Sequence, residues 1–332
     1  MSRSILVTGG AGFIGSHIVQ ALLERGDAVV ALDSLNTYYD PPRKRANLAE
    51  VQSEASDASQ LTFVEGDIRD RDLVGRLFAD HAFDAVVHLA AMAGVRASIE
   101  DPALYFDVNL AGTLVLLEAA VGRLGERRSE KPIFILASTS SVYGSTTQIP
   151  FVETDPCDRP LAPYAASKRA AELLGFTYHH LYGLDVTVPR FFTVYGPRGR
   201  PDMMAYKVAD SIFLGRNVPL FNNGQMYRDW TYVGDIVAGL VAATERRLGY
   251  EIVNLGRGEP VLLSDFVRSI EEVIGRKANL TPAPPPDTDI LSTHADTTRA
   301  SRLLGYRPTV SVQTGVERFL AWYERAVRNQ PA

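Results

Sequence analysis

Thr8-Gly9-Gly10-Ala11-Gly12-Phe13-Ile14-Gly15 decides the fold. The apolar run Ser4–Thr8 before it reads as a strand, and the stretch Ile14–Glu24 after it reads as a helix. A glycine cluster between strand and helix is a phosphate-binding turn. Gly9 permits the tight turn, Gly12 lets main chain approach a pyrophosphate, and Gly15 lets the helix pack against the sheet. The free N–H groups of the helix N-terminus, here around Phe13 and Ile14, add partial positive charge toward the phosphates. Gly9, Gly12, Phe13, Ile14 and Gly15 are therefore expected to hold a dinucleotide.

Further along the chain, strand-like runs at Ala28–Asp33, Leu61–Glu65, Ala85–Leu89 and Ile133–Ser138 alternate with helix-like stretches at Arg71–Phe78 and Leu104–Ala120. This alternation predicts an α/β fold, a Rossmann doubly wound parallel sheet with both faces covered. The second half is punctuated at Gly196-Pro197, Asn222-Asn223-Gly224 and the proline run beginning at Pro282, with helical stretches at Pro163–Tyr182 and Leu263–Ile274. The expected division is an NAD-binding Rossmann domain over 1–189, to which 235–255 possibly returns. Residues 190–332 then form mainly a smaller α/β substrate lobe.

Asp33 ends the second strand about 20 residues beyond the glycine turn, where a carboxylate accepts hydrogen bonds from an adenosine ribose. Ser34-Leu35-Asn36 follow it without an arginine, so a 2′-phosphate would meet only repulsion. The cofactor expected is NAD rather than NADP. Asp67 and Ile68 either border the adenine or form a simple turn.

Tyr164-Ala165-Ala166-Ser167-Lys168 carries the chemistry. Its spacing puts Tyr164 and Lys168 on one helix face. An ammonium there lowers the phenol pKa, so Tyr164 can take a proton from a sugar hydroxyl. Upstream, Ala137-Ser138-Thr139-Ser140-Ser141-Val142-Tyr143-Gly144 places small hydroxyls at a strand's C-terminal end, where ligands bind in such sheets.

Together these residues resemble the extended short-chain dehydrogenase/reductases that act on nucleotide sugars, over nearly the whole chain. The resemblance implies that Thr139, Tyr164 and Lys168 form the catalytic triad. It also implies that Leu89, Ala90, Ala91 and Asn109 line the NAD site, with Ser138, Tyr164 and Lys168 facing the same cofactor. Arg228, in Arg228-Asp229-Trp230-Thr231-Tyr232-Val233, would bind the UDP diphosphate. Asp289 and Asp296 are similar to a C-terminal acidic pattern of the family, and Asp289 is assigned to the substrate. Pro286 stands where galactose-type epimerases often place an arginine. The helices Leu104–Ala120 and Pro163–Tyr182 match those that pair in family homodimers.

Within the family, dehydratases and decarboxylases carry carboxylates after the catalytic threonine, whereas this chain has Ser140 and Ser141. The simplest cycle is then epimerisation at C4: oxidation, rotation of the ketone, and reduction from the other face. Three stretches resemble UDP-glucuronate 4-epimerases: Asp33 to Asp40, Ala90 to Arg96 with Met92 as a departure, and Phe191 to Met203. Arg200, Thr193, Ser140, Ser141 and Arg96 could hold the substrate carboxylate, or each could be structural. The alternatives are a UDP-glucose/UDP-galactose 4-epimerase, a UDP-glucuronate decarboxylase or nucleotide-sugar 4,6-dehydratase, and a non-catalytic nucleotide-binding regulator.

Bulk properties fit this isomerase reading. The chain has 332 residues, 46% hydrophobic and 22% charged, with net charge −5, which gives no general attraction to nucleic acid or acidic membranes. Its one cysteine, Cys157, allows no intrachain disulfide. No Cys/His cluster suggests a metal, no signal segment precedes the first strand, and no apolar run is judged long enough to span a bilayer. The expectation is a cytoplasmic enzyme of carbohydrate metabolism with no membrane partner.

Overall fold

The computed structural model describes residues 2–55, 57–124, 130–285, 288 and 290–328. In the first half, β1 (Ser4–Thr8), α1 (Phe13–Glu24), β2 (Ala28–Asp33), α2 (Pro41–Glu54), β3 (Leu61–Glu65), α3 (Arg71–Asp80) and β4 (Ala85–His88) alternate in order. They are followed by α4 (Ala97–Glu100), α5 (Pro102–Phe106), α6 (Thr113–Ala120), β5 (Ile133–Leu136), β6 (Ser138–Thr139), α7 (Pro163–Tyr182) and β7 (Val186–Phe191). The second half holds β8 (Thr193–Tyr195), α8 (Met204–Leu214), β9 (Val218–Phe221), β10 (Tyr227–Arg228), β11 (Trp230–Tyr232), α9 (Val233–Thr244) and β12 (Tyr250–Leu255). It ends with β13 (Val261–Leu262), α10 (Leu263–Ile274), β14 (Leu280–Ala283), α11 (Thr298–Leu304) and α12 (Val312–Tyr323).

The main sheet is parallel, in the order β12-β7-β5-β4-β1-β2-β3, with β6 also paired to β7. Alternation along its strands builds two cores. Ile5 and Val7 point to the face covered by α1 and α9, with Ile18, Leu22, Ile236 and Leu240. Leu6 points to the other, with Val74, Leu116, Leu117 and Ala171 of α3, α6 and α7. Strand order reverses between β1 and β4, and ligands bind at the C-terminal ends of strands beside such a switch. The later two-stranded pairs β8–β11, β9–β14 and β10–β13 lie outside this sheet.

Local sequence explains several boundaries. α7 starts at Pro163, whose missing N–H costs nothing in a first turn, and stops where Gly183 takes a left-handed conformation at φ 63°. Three sequence expectations change. The strand read as Ile133–Ser138 breaks at Ala137, whose N–H bonds the His88 carbonyl, and Ser138–Thr139 then pairs with β7. The helix read as Leu104–Ala120 begins at Pro102 and contains a wide π turn over Asp107–Gly112. That helical run, Pro102–Ala120, has 19 residues and is long and apolar enough to cross a bilayer, contrary to the sequence expectation. Its apolar character has an explanation inside the fold, since Tyr105, Val115, Leu116, Leu117 and Ala120 are core residues.

Candidate active site

The β1–α1 turn has the geometry of a phosphate cradle. Gly9 has φ 72°, and a Cβ there would lie 2.8 Å from the Ala90 nitrogen. At Gly15 a Cβ would lie 1.9 Å from the Gly9 carbonyl oxygen, so a side chain would push the helix off the turn. α1 has no side-chain cap and no acidic residue in its first turn, which leaves its N–H groups open to an anion. Gly9, Gly12, Phe13, Ile14 and Gly15 line a cavity of about 570 Å³ together with Asp33, Asp67, Ile68, Leu89, Ala90, Ala91, Ser138, Tyr164, Lys168 and Arg200. An extended dinucleotide fits this cradle, with the pyrophosphate at the turn and a ribose toward Asp33.

Asp33 is nearly buried, its oxygens accepting from the Ala11 N–H at 3.1 Å and the Leu35 N–H at 2.9 Å. Each oxygen keeps a lone pair for a ribose hydroxyl. The sequence reading missed a cation here. Lys44 of α2 lies with Nζ 4.0 Å from Asp33 and donates to the Asn36 carbonyl at 3.1 Å and its Oδ1 at 2.8 Å. Asp67 lines the cavity but is committed to Arg69, which holds its carboxyl below the usual range.

Of the predicted cofactor residues, Asn109 lies off the cavity lining and Ser138 lies on it with its hydroxyl already bonded. Asn109 is 1% exposed and lies behind the cleft wall rather than in it. Its amide brackets the Met92 main chain, accepting from N–H at 2.8 Å and donating to the carbonyl at 3.0 Å, and it reaches Ser167 Oγ at 3.0 Å. It thus braces the loop after β4. Ser138 lines the cavity, but its hydroxyl donates to Glu172 at 2.5 Å.

Tyr164 and Lys168 face the cavity from α7, and the Thr139 hydroxyl acts on Tyr164 from β6. Burial pushes the Tyr164 phenol up. The Arg200 guanidinium and the Thr139 hydroxyl oppose it. Arg200 is thus a second cation acting on Tyr164, one that the sequence reading had not paired with it. Burial brings Lys168 itself down to about 8, against the raising influence of Glu172.

Arg200 is clasped by Asp202, with Nε at 2.9 Å and Nη2 at 2.8 Å from its oxygens, and Tyr38 lies under the guanidinium at 5.6 Å. Asp202 also borders a second cavity of about 230 Å³, which adjoins the first across this pair. Arg96, Thr193 and Arg228 line it, with Lys207, Phe221 and Met204, none of which the sequence reading found. Arg96 lies over the Phe221 ring at 4.2 Å, linking the loop before α4 to the end of β9. Three cations and an aromatic ring suit a nucleoside diphosphate.

Ser140 and Ser141 are half-buried in the turn after Thr139, whose Oγ1 accepts from the Ser141 N–H at 3.2 Å, and they line neither cavity. Asp296 accepts from the Thr298 N–H at the start of α11, a helix-capping role. Asp289 and Pro286 lie outside the described residues. Among the described residues no group of three or more His, Cys, Asp or Glu is placed to hold a metal.

Comparison with known proteins agrees with this geometry. Residues 5–256 match the NAD dependent epimerase/dehydratase family. The chain is 43% identical to UDP-glucuronate 4-epimerase 4 of Arabidopsis thaliana, over 96% of this chain and 75% of that protein. It is 42% identical to a UDP-glucuronate 4-epimerase of Thermodesulfobacterium geofontis, over 96% of this chain and 95% of that protein. Its fold superposes with TM-score 0.87 on UDP-glucuronic acid 4-epimerase from Bacillus cereus in complex with UDP-glucuronic acid and NAD, at 34% identity over 97% of this chain and 99% of that one.

Proposed function

The chain belongs to the NAD dependent epimerase/dehydratase family, and on that premise we propose that it is an isomerase converting UDP-glucuronate to UDP-galacturonate through a 4-keto sugar. The observation that carries the substrate assignment is the Arg200–Asp202 pair. It sits where the cavity holding Tyr164 meets the cavity holding Arg96 and Arg228, which is where the sugar of a nucleotide sugar must lie. A cation at that junction suits a sugar carboxylate.

Tyr164, as phenolate, takes the proton of the C4 hydroxyl, while Thr139 holds the reacting oxygen through its own hydrogen bond. Bound NAD supplies the acceptor for the C4 hydride and returns it, so the cycle has no net redox change. Arg228, Arg96 and Lys207 hold the diphosphate end while the ketone rotates. Arg200 holds the carboxylate in both poses. Because the intermediate is a β-keto acid, that hold also limits loss of CO₂. Ser140 and Ser141 put hydroxyls beside Thr139, and neither supplies a carboxylate for elimination.

The direct test incubates the protein separately with UDP-glucuronate and UDP-glucose, resolves the epimers and measures CO₂. Expected is the galacturonate epimer with little CO₂. Turnover of UDP-glucose alone, or CO₂ as the main product, overturns the assignment. We also propose that the chain works as a homodimer through α5 and α7. Support comes from the apolar side chains these adjacent helices present to solvent.

A further inference from the structure

Glu172 takes no part in the chemistry above, yet it is wholly buried one helical turn beyond Lys168. Oε1 accepts from Ser138 Oγ at 2.5 Å and Arg190 Nε at 3.0 Å. Oε2 accepts from Arg190 Nη2 at 2.8 Å and Arg169 Nη1 at 2.9 Å. Arg190, also 0% exposed, stands on β7 directly across from Ser138 of β6. One carboxylate thus joins the helix carrying Tyr164 and Lys168 to the strand that carries Thr139.

The charges around it come from several elements. α7 contributes Tyr164, Lys168 and Arg169, and β7 contributes Arg190. His88 of β4 is pushed down to about 3 by burial and by Lys168, so it is neutral. Tyr250 of β12, Tyr143 of the turn after β6, and Cys157 are pushed up by burial and are also uncharged near neutrality. Asp155 and Glu153 lie farther out, acting on Arg190's neighbours Cys157 and Tyr143, and Arg200 faces Tyr164 across the cavity. Glu172 is the anion that acts on Lys168, and it opposes the burial that drives the ammonium to lose its proton.

We propose that Glu172 is a positioning residue for the epimerisation. It holds the Thr139 strand against the catalytic helix through Ser138 and Arg190, and on that helix it places an anion one turn from Lys168. The inference rests on the reading of Tyr164 and Lys168 as reaction-centre residues given above. Removing an anion beside a lysine lowers its proton affinity, so loss of Glu172 should deprotonate Lys168 nearer neutral pH.

The chain has five lysines, Lys44, Lys131, Lys168, Lys207 and Lys277, few enough to resolve by NMR after ¹³C labelling at the ε-carbon. In NAD-loaded protein the Lys168 signal is assigned by its loss in Lys168→Met. Glu172→Gln should move its titration midpoint down by about 1 pH unit or more. The alkaline limb of kcat should move with it, and Glu172→Asp should restore most of the shift. Because Glu172→Gln strands the buried Arg190, the paired Glu172→Gln/Arg190→Gln variant is measured beside it. It too should show the lowered midpoint. An unchanged midpoint in either variant, once folded, overturns the proposal. The NMR titration needs no sugar nucleotide, so it reports on Glu172 even if UDP-glucuronate proves not to be the substrate.

Discussion

Arg200 is held by a carboxylate of its own loop: Nε and Nη2 reach the two Asp202 oxygens at 2.9 and 2.8 Å, and Tyr38 donates to the same carboxylate at 3.4 Å. A substrate carboxylate arriving here competes with Asp202 for the guanidinium. Arg200→Met should lower kcat/KM for UDP-glucuronate about 10- to 150-fold, the worth of a charge-assisted hydrogen bond of roughly 1.5–3 kcal/mol. UDP-glucose, if turned over, should be spared. Asp202→Asn should lower KM for UDP-glucuronate alone. Progress curves for both substrates decide it. Equal losses on both would make Arg200 a structural residue, and no loss on either would place the carboxylate elsewhere.

Tyr164 is half-buried at the cavity wall, with an edge-on contact to Tyr105 at 6.1 Å between ring centres. Tyr164→Phe keeps the ring and its packing while removing the base. We expect kcat to fall by at least about 10²-fold with an unchanged melting temperature. Near-normal turnover in the folded variant would exclude Tyr164 as the base.

What the sequence revealed about this site was local. The glycine turn and the Tyr164/Lys168 spacing each lie within a few residues, and their chemistry follows from main-chain geometry alone. Arg200 was legible for the same reason, from its place in a continuous loop. Lys44 was not, because only the fold of α2 brings it 4.0 Å from Asp33. Lys207 and Phe221 line one cavity with Arg96 and Arg228, a meeting of distant segments that no spacing encodes. The position of Asn109 behind the cavity lining was not legible for a related reason. The π turn at Asp107–Gly112 was invisible in the sequence pattern, and the Asn109 amide lies inside it, turned onto Met92. The parallel sheet was legible because its buried strands are short, nearly continuous apolar runs. The short strand pairs outside it were not, since two- to four-residue strands leave too little pattern.

Cofactor choice should follow from Asp33. A 2′-phosphate would approach its carboxylate, and the nearby Lys44 has two of its hydrogens spent on Asn36. Titration of cofactor-stripped protein should show NAD bound much more tightly than NADP. Asp33→Ser should narrow that gap by weakening NAD and strengthening NADP. Equal affinities in the parent chain would show that Lys44 outweighs the carboxylate.

Assembly gives the last prediction. Leu173 and Phe176 on α7 are 53% and 51% exposed, and Phe106 on the adjoining α5 is 39% exposed. Large apolar side chains gathered on neighbouring helices are costly to leave in water, and a two-fold axis would cover each of them twice. Leu173→Glu should therefore cost the isolated subunit little stability, because the position is exposed in it. In a dimer the same change buries two unpaired carboxylates, a penalty large enough to separate the subunits. Light scattering at micromolar concentration should give twice the subunit mass of 36.4 kDa for the parent chain and the subunit mass for Leu173→Glu. The variant should keep its circular dichroism spectrum. A monomeric parent chain would contradict the dimer. A dimer that survives Leu173→Glu would move the interface off α7.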